Sequence, residues 1–214
     1  MAKYRRETTP EGIAFYPWLQ KPDVKYNQDK GGKYKCWVFI EDKDAKPLIK
    51  IIDDTLNEHH LYMEKTEGKK FGLNNVPYVY HGDETRDPKN NIPKGKVQFK
   101  IEQYATIGGK PYRPIVVDTD GKPMLDANGD NVIVFGGSKV KVSFDLFTYA
   151  VGNNLGVSLK LAGVQVIDLQ DSAEPDIGKL GFKVEEGYKH SQEDLTLAAE
   201  DTSDKKEKES NDFL

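Results

Sequence analysis

Apolar and polar positions alternate in several short runs along this chain, and one longer stretch repeats at helical spacing. The run Lys33, Tyr34, Lys35, Cys36, Trp37, Val38, Phe39, Ile40 starts as an alternation, the signature of a half-buried strand. Residues 97–104 and 139–146 alternate cleanly and predict two further strands. Shorter β-rich runs at 115–117, 132–135, 157–161 and 164–169 complete the set. Leu48, Ile51, Ile52, Leu56 and Tyr62 fall near helical spacing behind Asp44 and Pro47, so one helix is expected there. The polar stretch from Gly68 to Asn75 ends it.

Turn signals separate these runs. Residues 81–96 are polar, contain Asp87-Pro88 and Asn90-Asn91, and read as an exposed loop. Asp120-Gly121 and Asn128-Gly129 are hairpin dipeptides flanking Met124-Leu125. Short strands, glycine-rich turns and one intervening helix imply an all-β class, a small barrel or a curved sheet. The expected organisation is a flexible arm over 1–12, a globular body over 13–170, a partly ordered connector over 171–199 and a disordered acidic tail over 200–214.

Charge sharpens this division. Residues 171–214 carry 13 acidic and 6 basic side chains, a net of -7, whereas 1–170 carry 22 acidic and 25 basic, a net of +3. A mildly basic body with an acidic end raises the question of polyanion binding. The chain ends on Phe213 and Leu214 behind Asp212, a polar tail with an apolar tip, as expected of a docking peptide. The single cysteine, Cys36, excludes an intrachain disulfide framework and fits a reducing compartment. The N-terminus lacks the apolar stretch of a secretory signal, and no window is apolar enough for a membrane helix, so a cytosolic, membrane-free protein is expected.

Catalytic patterns are missing. His59-His60 has no metalloprotease spacing, and no glycine-rich loop ends in the Gly-Lys-Ser or Gly-Lys-Thr of a nucleotide hydrolase. Asp118, Asp120, Asp126 and Asp130 resemble fragments of a calcium loop, but hairpin turns explain them. No catalytic residue, metal site or cofactor is assigned. Aromatic and basic residues do interleave: Trp18 with Lys21, Lys25 with Tyr26, Lys30 and Lys33 with Tyr34, and Lys110 with Tyr112 and Arg113. Lys139, Lys141 and Lys160 add charge on strands. Rings beside cations suit single-stranded nucleic acid, although β proteins also bury such rings as core.

Longer patterns are more specific. The run from Ile115 through Asp118, Gly121 and Met124, then Val134 to Val142, Tyr149, and Gly156 to Leu161 occur in order behind Trp18 to Asp23 and Lys33 to Lys35. With the long loop, the Phe99-Lys100 strand and the acidic tail, this order resembles the replication single-stranded DNA-binding proteins of T7-type podophages over nearly the whole chain. The resemblance implies an OB-fold, a five-stranded barrel with one helix, and a non-enzymatic homodimer in the cytoplasm of an infected bacterium. It also implies single-stranded DNA, a phage DNA polymerase and a helicase–primase as partners. The tail would contact the two enzymes and compete with DNA for the basic groove.

Carried over by position, the resemblance implies a DNA-contacting Tyr149, with Val151 where the family has a tryptophan. Tyr26 and Lys30 stand near an aromatic and an arginine of the family, Lys3 matches a basic position, and Lys110 and Arg113 lie where the family uses a lysine. Together with Trp18, Lys33, Tyr112 and Lys139, these form the expected DNA-binding set. Asp212, Phe213 and Leu214 form the expected partner-binding tip. The rival reading is a phage structural or interaction protein without nucleic-acid binding.

Overall fold

The alternating runs become strands wherever they have a partner edge. In chain order, β1 (Arg5–Thr8) and β2 (Gly12–Asp23) lead through a 3-10 turn at Gln28–Lys30 into β3 (Lys33–Glu41) and α1 (Asp42–Glu67). Four short strands follow, β4 (Gly72–Leu73), β5 (Tyr78–Tyr80), β6 (Lys96–Phe99) and β7 (Glu102–Tyr104). The hairpin of β8 (Thr106–Ile107) and β9 (Lys110–Pro111) precedes β10 (Ile115–Val117) and two long strands, β11 (Lys139–Val151) and β12 (Asn154–Asp168). The computed structural model describes residues 5–73, 75–89 and 91–170. The connector over 171–199, the tail over 200–214, and the site candidates Lys3, Asp212, Phe213 and Leu214 lie outside the described residues.

One sheet runs β10-β12-β11-β2-β3-β6-β5, with β1 added to β11, β4 to β12 and β7 to β3. The β11–β12 ladder extends from Lys139 opposite Asp168 to Val151 opposite Asn154. It absorbs the two separate strands expected at 157–161 and 164–169 into one, with a register shift between Ser143 and Phe144. The single strand expected over 97–104 is instead broken at Lys100 and Ile101 into β6 and β7. The break has a topological cause: Ile101 leaves the ladder to bridge Leu159 of β12 in parallel, while its carbonyl accepts from the Cys36 amide at 3.0 Å.

That bridge is the only ladder contact, among the described residues, that joins the two ends of the curled sheet. The strand-rich class with one helix expected from the sequence is present, as a curled sheet with a single-bridge seam. Two corrections follow from partners as well. Residues 132–135 form no ladder, and beside them the buried Asn131 amide donates to the carbonyls of Leu19 and Pro114 at 2.9 Å each. Arg5–Thr8, expected in a flexible arm, pairs with β11 from Leu146 to Ser143.

The helix starts two residues before the expected Asp44. Asp42 and Asp44 lie in its first turn, where the exposed amides favour negative charge. Gly68 at φ 64° closes it, its N–H bonding the Glu64 carbonyl at 2.9 Å. Ala45, Leu48, Ile49, Ile52 and Leu56 form the packed stripe, whereas Tyr62, expected on that stripe, is 64% exposed. The stripe covers a core that includes Ile40, Phe99, Ile101, Phe144, Leu159 and Leu161, all essentially sealed. Each such side chain contributes about 1.5–3 kcal/mol through burial.

Candidate nucleic-acid interface

Period-2 geometry decides what the sheet shows to the outside. On β3, Tyr34, Cys36 and Val38 are buried, so Lys33, Lys35 and Trp37 point outward. The two lysines meet a neighbour on both flanking strands, the tryptophan on one. Lys33 lies between Asp23 and Tyr104, Lys35 between Trp18 and Glu102, and Trp37 opposite Phe15. Lys100 fills the gap beside Trp37, its ammonium 5.3 Å from the ring centre.

The seam brings β12 and β11 against these rows. Lys160, outward on β12, lies 5.8 Å from the centre of the Tyr104 ring and 5.3 Å from that of Phe147. Lys30 and Lys33 approach the same Tyr104 ring at 4.3 and 4.9 Å. Three ammonium groups thus lie within cation–π distance of one ring. Burial lowers the Lys160 pKa; Glu102 opposes that shift, while Lys33 and Lys30 add to it. Glu102 also pairs directly with Lys33, so one carboxylate balances part of a cluster that would otherwise repel itself.

Beyond Glu102 the surface opens into a cleft of about 430 Å³ lined by Arg86, Lys100, Glu102, Tyr149, Ser158 and Pro77. Tyr149 stands opposite Gly156 in the hairpin, and its ring lies across that glycine. A Cβ on residue 156 would come within 2.4 Å of the ring's Cζ, so only glycine lets the tyrosine lie down. Arg86 is held at the cleft wall by donating to the carbonyl oxygens of Tyr78, at 2.7 Å, and Val76. Beneath the same end of β11, burial lowers the pKa of His59 on α1, with the backbone of Tyr149 opposing.

The residues expected from sequence divide. Lys30, Lys33, Trp18 and Tyr149 reach this continuous face. Tyr26 stands at its rim in the β2–β3 loop, 64% exposed and 5.5 Å from the Lys25 ammonium. Tyr112 instead packs edge-on against buried Tyr34 and donates its hydroxyl to the Leu161 carbonyl at 2.5 Å; burial pushes its pKa up to about 12. Arg113 pairs with Asp130 at 2.8 Å, Lys110 lies on the small β8–β9 hairpin, and Lys139 starts β11 opposite Asp168. Trp37, Lys100, Tyr104, Phe147 and Lys160 complete the face and were not singled out as site residues from spacing. Their signal was parity: Trp37 shares its face with Lys33 and Lys35.

Asp118 and Asp126 are turn residues. Each carboxylate accepts two backbone amides of its own hairpin, from residues 120 and 122 and from 128 and 130. Among the described residues no cluster of metal-ligating side chains forms, and no helix is long and apolar enough to cross a membrane.

A curled sheet that lays rings and ammonium groups along one groove has the features of a nucleic-acid-binding module. The family model described as single-stranded DNA-binding protein, Bacteriophage T7, matches residues 11–169. The chain belongs to that family, whose members bind rather than catalyse. It is 27% identical to the single-stranded DNA-binding protein of Enterobacteria phage T3, with 75% of each chain covered. It is 29% identical to that of Escherichia phage T7, covering 68% of this chain and 67% of the relative. Its structure is similar to the crystal structure of the phage T7 protein, with a TM-score of 0.65 at 25% identity, covering 88% of this chain and all of that one. A more distant likeness in fold is to the single-stranded DNA-binding protein of bacteriophage Enc34 in complex with ssDNA. There the TM-score is 0.52 at 15% identity, with 78% and 88% covered.

Proposed function

We propose that this chain binds single-stranded DNA without regard to sequence, as part of a phage replication machinery. The observation that carries this reading is the Tyr104 ring within cation–π distance of Lys30, Lys33 and Lys160, continuous with the Tyr149 cleft. Bases stack on the rings, each contributing about 1–3 kcal/mol, and the lysines track the phosphates. The naming of the T3 and T7 relatives supports it. In this reading the curled sheet is an OB-fold whose seam is a single bridge, and the chain acts as a homodimer in the infected bacterium's cytoplasm. It coats and protects unwound strands and serves replication, recombination and repair.

The acidic segment over 200–214 is proposed to compete with DNA for the basic face and, once displaced, to dock on phage DNA polymerase and helicase–primase through Asp212, Phe213 and Leu214. The opposite net charges of body and tail support it, since a tethered anionic peptide is present at high effective concentration. Fluorescence anisotropy of labelled oligo-dT against matched duplex, across a salt series, tests both statements. Full-length protein is expected to prefer the single strand, with a log–log salt slope of about -0.7 per phosphate neutralised. Deleting 200–214 is expected to tighten binding. Absence of single-strand preference at low salt overturns the function, and weaker binding after deletion overturns the competition.

A further inference from the structure

One residue on the outer surface has a backbone conformation that its packing does not explain. Tyr16 has φ 52°, in the left-handed region where a side chain other than glycine is strained. It also precedes Pro17, which confines its predecessor to extended backbone. The conformation belongs to a register break in β2 between Phe15 and Trp18. Its result is a tyrosine that is 63% exposed, so the strain is not offset by burial.

The break gives Tyr16 an aromatic setting. Its ring meets Phe15 edge-on at 5.2 Å and lies 6.3 Å from Trp37. Phe15 is backed by Phe39 at 4.7 Å, and Phe39 packs with Val79 and Ile92 in a small core of its own. The shelf is thus supported from below, with Tyr16 exposed and Trp37 half-buried beside it. Lys100 links it to the cleft: its ammonium lies over Trp37 and also lines the cavity that holds Tyr149.

We propose that Tyr16 and Trp37 form a second base-stacking shelf, which a strand leaving the Tyr149 cleft reaches by passing its phosphate over Lys100. The ligand is single-stranded nucleic acid long enough to span both platforms, so the inference rests on the function proposed above. Strain held at an exposed ring is a recurrent mark of functional positions, and here it turns a tyrosine outward beside the tryptophan.

The test compares Tyr16→Gly, Tyr16→Phe and parent protein on oligo-dT of about 4 and about 16 nucleotides, the limits of OB-fold site sizes. Glycine removes the ring and suits the positive φ, so its thermal midpoint is expected to match or exceed the parent's. It is expected to lose roughly 5- to 150-fold in affinity for the long oligonucleotide and less than about twofold for the short one, while Tyr16→Phe binds like the parent. Equal binding of the long oligonucleotide by glycine variant and parent overturns the shelf. So does an equal loss on both lengths, or loss accompanied by a lower midpoint, which marks a structural role. Failure of the parent itself to prefer single strands overturns the function rather than the shelf.

Discussion

Two outward surfaces of the same sheet carry lysines, and only one of them carries rings within reach. On the β3–β7–β12 face, Tyr104 lies within cation–π distance of Lys30, Lys33 and Lys160, and the cleft beside it holds Tyr149. On the β1–β11–β10 side, a groove of about 410 Å³ has Arg6 and Lys141 on its walls, but no ring lines it, its remaining lining including Ile115, Val117, Ala162 and Gln165. Arg6 there is committed to Asp145 through two bonds of 2.8 and 2.9 Å. Positive charge alone attracts any polyanion and is screened within about 8–10 Å in ordinary salt. Rings give unpaired bases something that a duplex cannot use. On the function proposed above, the two surfaces therefore differ in selectivity as well as in strength.

Three substitutions sharpen that contrast. Tyr149→Ala is expected to weaken oligo-dT binding by roughly 5- to 150-fold, one stacked base, with an unchanged circular dichroism spectrum; unchanged affinity removes Tyr149 from the site. Glu102→Gln deletes the carboxylate that pairs with Lys33 and stands near Lys160. Anisotropy titration at low salt is expected to show binding tightened by about three- to tenfold, the gain shrinking as salt rises. A loss would mean that Glu102 positions the lysines rather than competing with phosphate. Lys139→Ala, on the ringless side, is expected to change affinity by less than about twofold and the salt slope by well under one phosphate. A drop as large as that of Tyr149→Ala would erase the distinction between the two surfaces.

Much of the framework was legible because period 2 survives wherever one strand face is buried. The run at 139–146 is a strand with the alternation intact, and the run at 33–40 is a strand that keeps it as far as Val38. Alternation carries no information on where a strand changes partner, so the break at Lys100 and Ile101 was invisible, and with it the seam that brings Lys160 to Tyr104. Proximity in sequence does not fix placement either. Lys110, Tyr112 and Arg113 form a basic-aromatic run, yet the fold directs the Tyr112 ring against Tyr34 and pairs Arg113 with Asp130. Trp37 was within reach of parity alone. The positive φ at Tyr16 was not, since Pro17 argues for an extended predecessor.

Cys36 has a practical consequence. It is the chain's only thiol, it is fully sealed, and burial pushes its pKa up to about 12. Since the thiolate is the reactive form, the folded protein is chemically silent toward maleimides and mild oxidants. A fluorophore can therefore be attached through a cysteine introduced at any exposed position, with the native residue left in place. Slow modification of Cys36 itself then becomes a clock for opening of the core directly beneath the strand that carries Trp37.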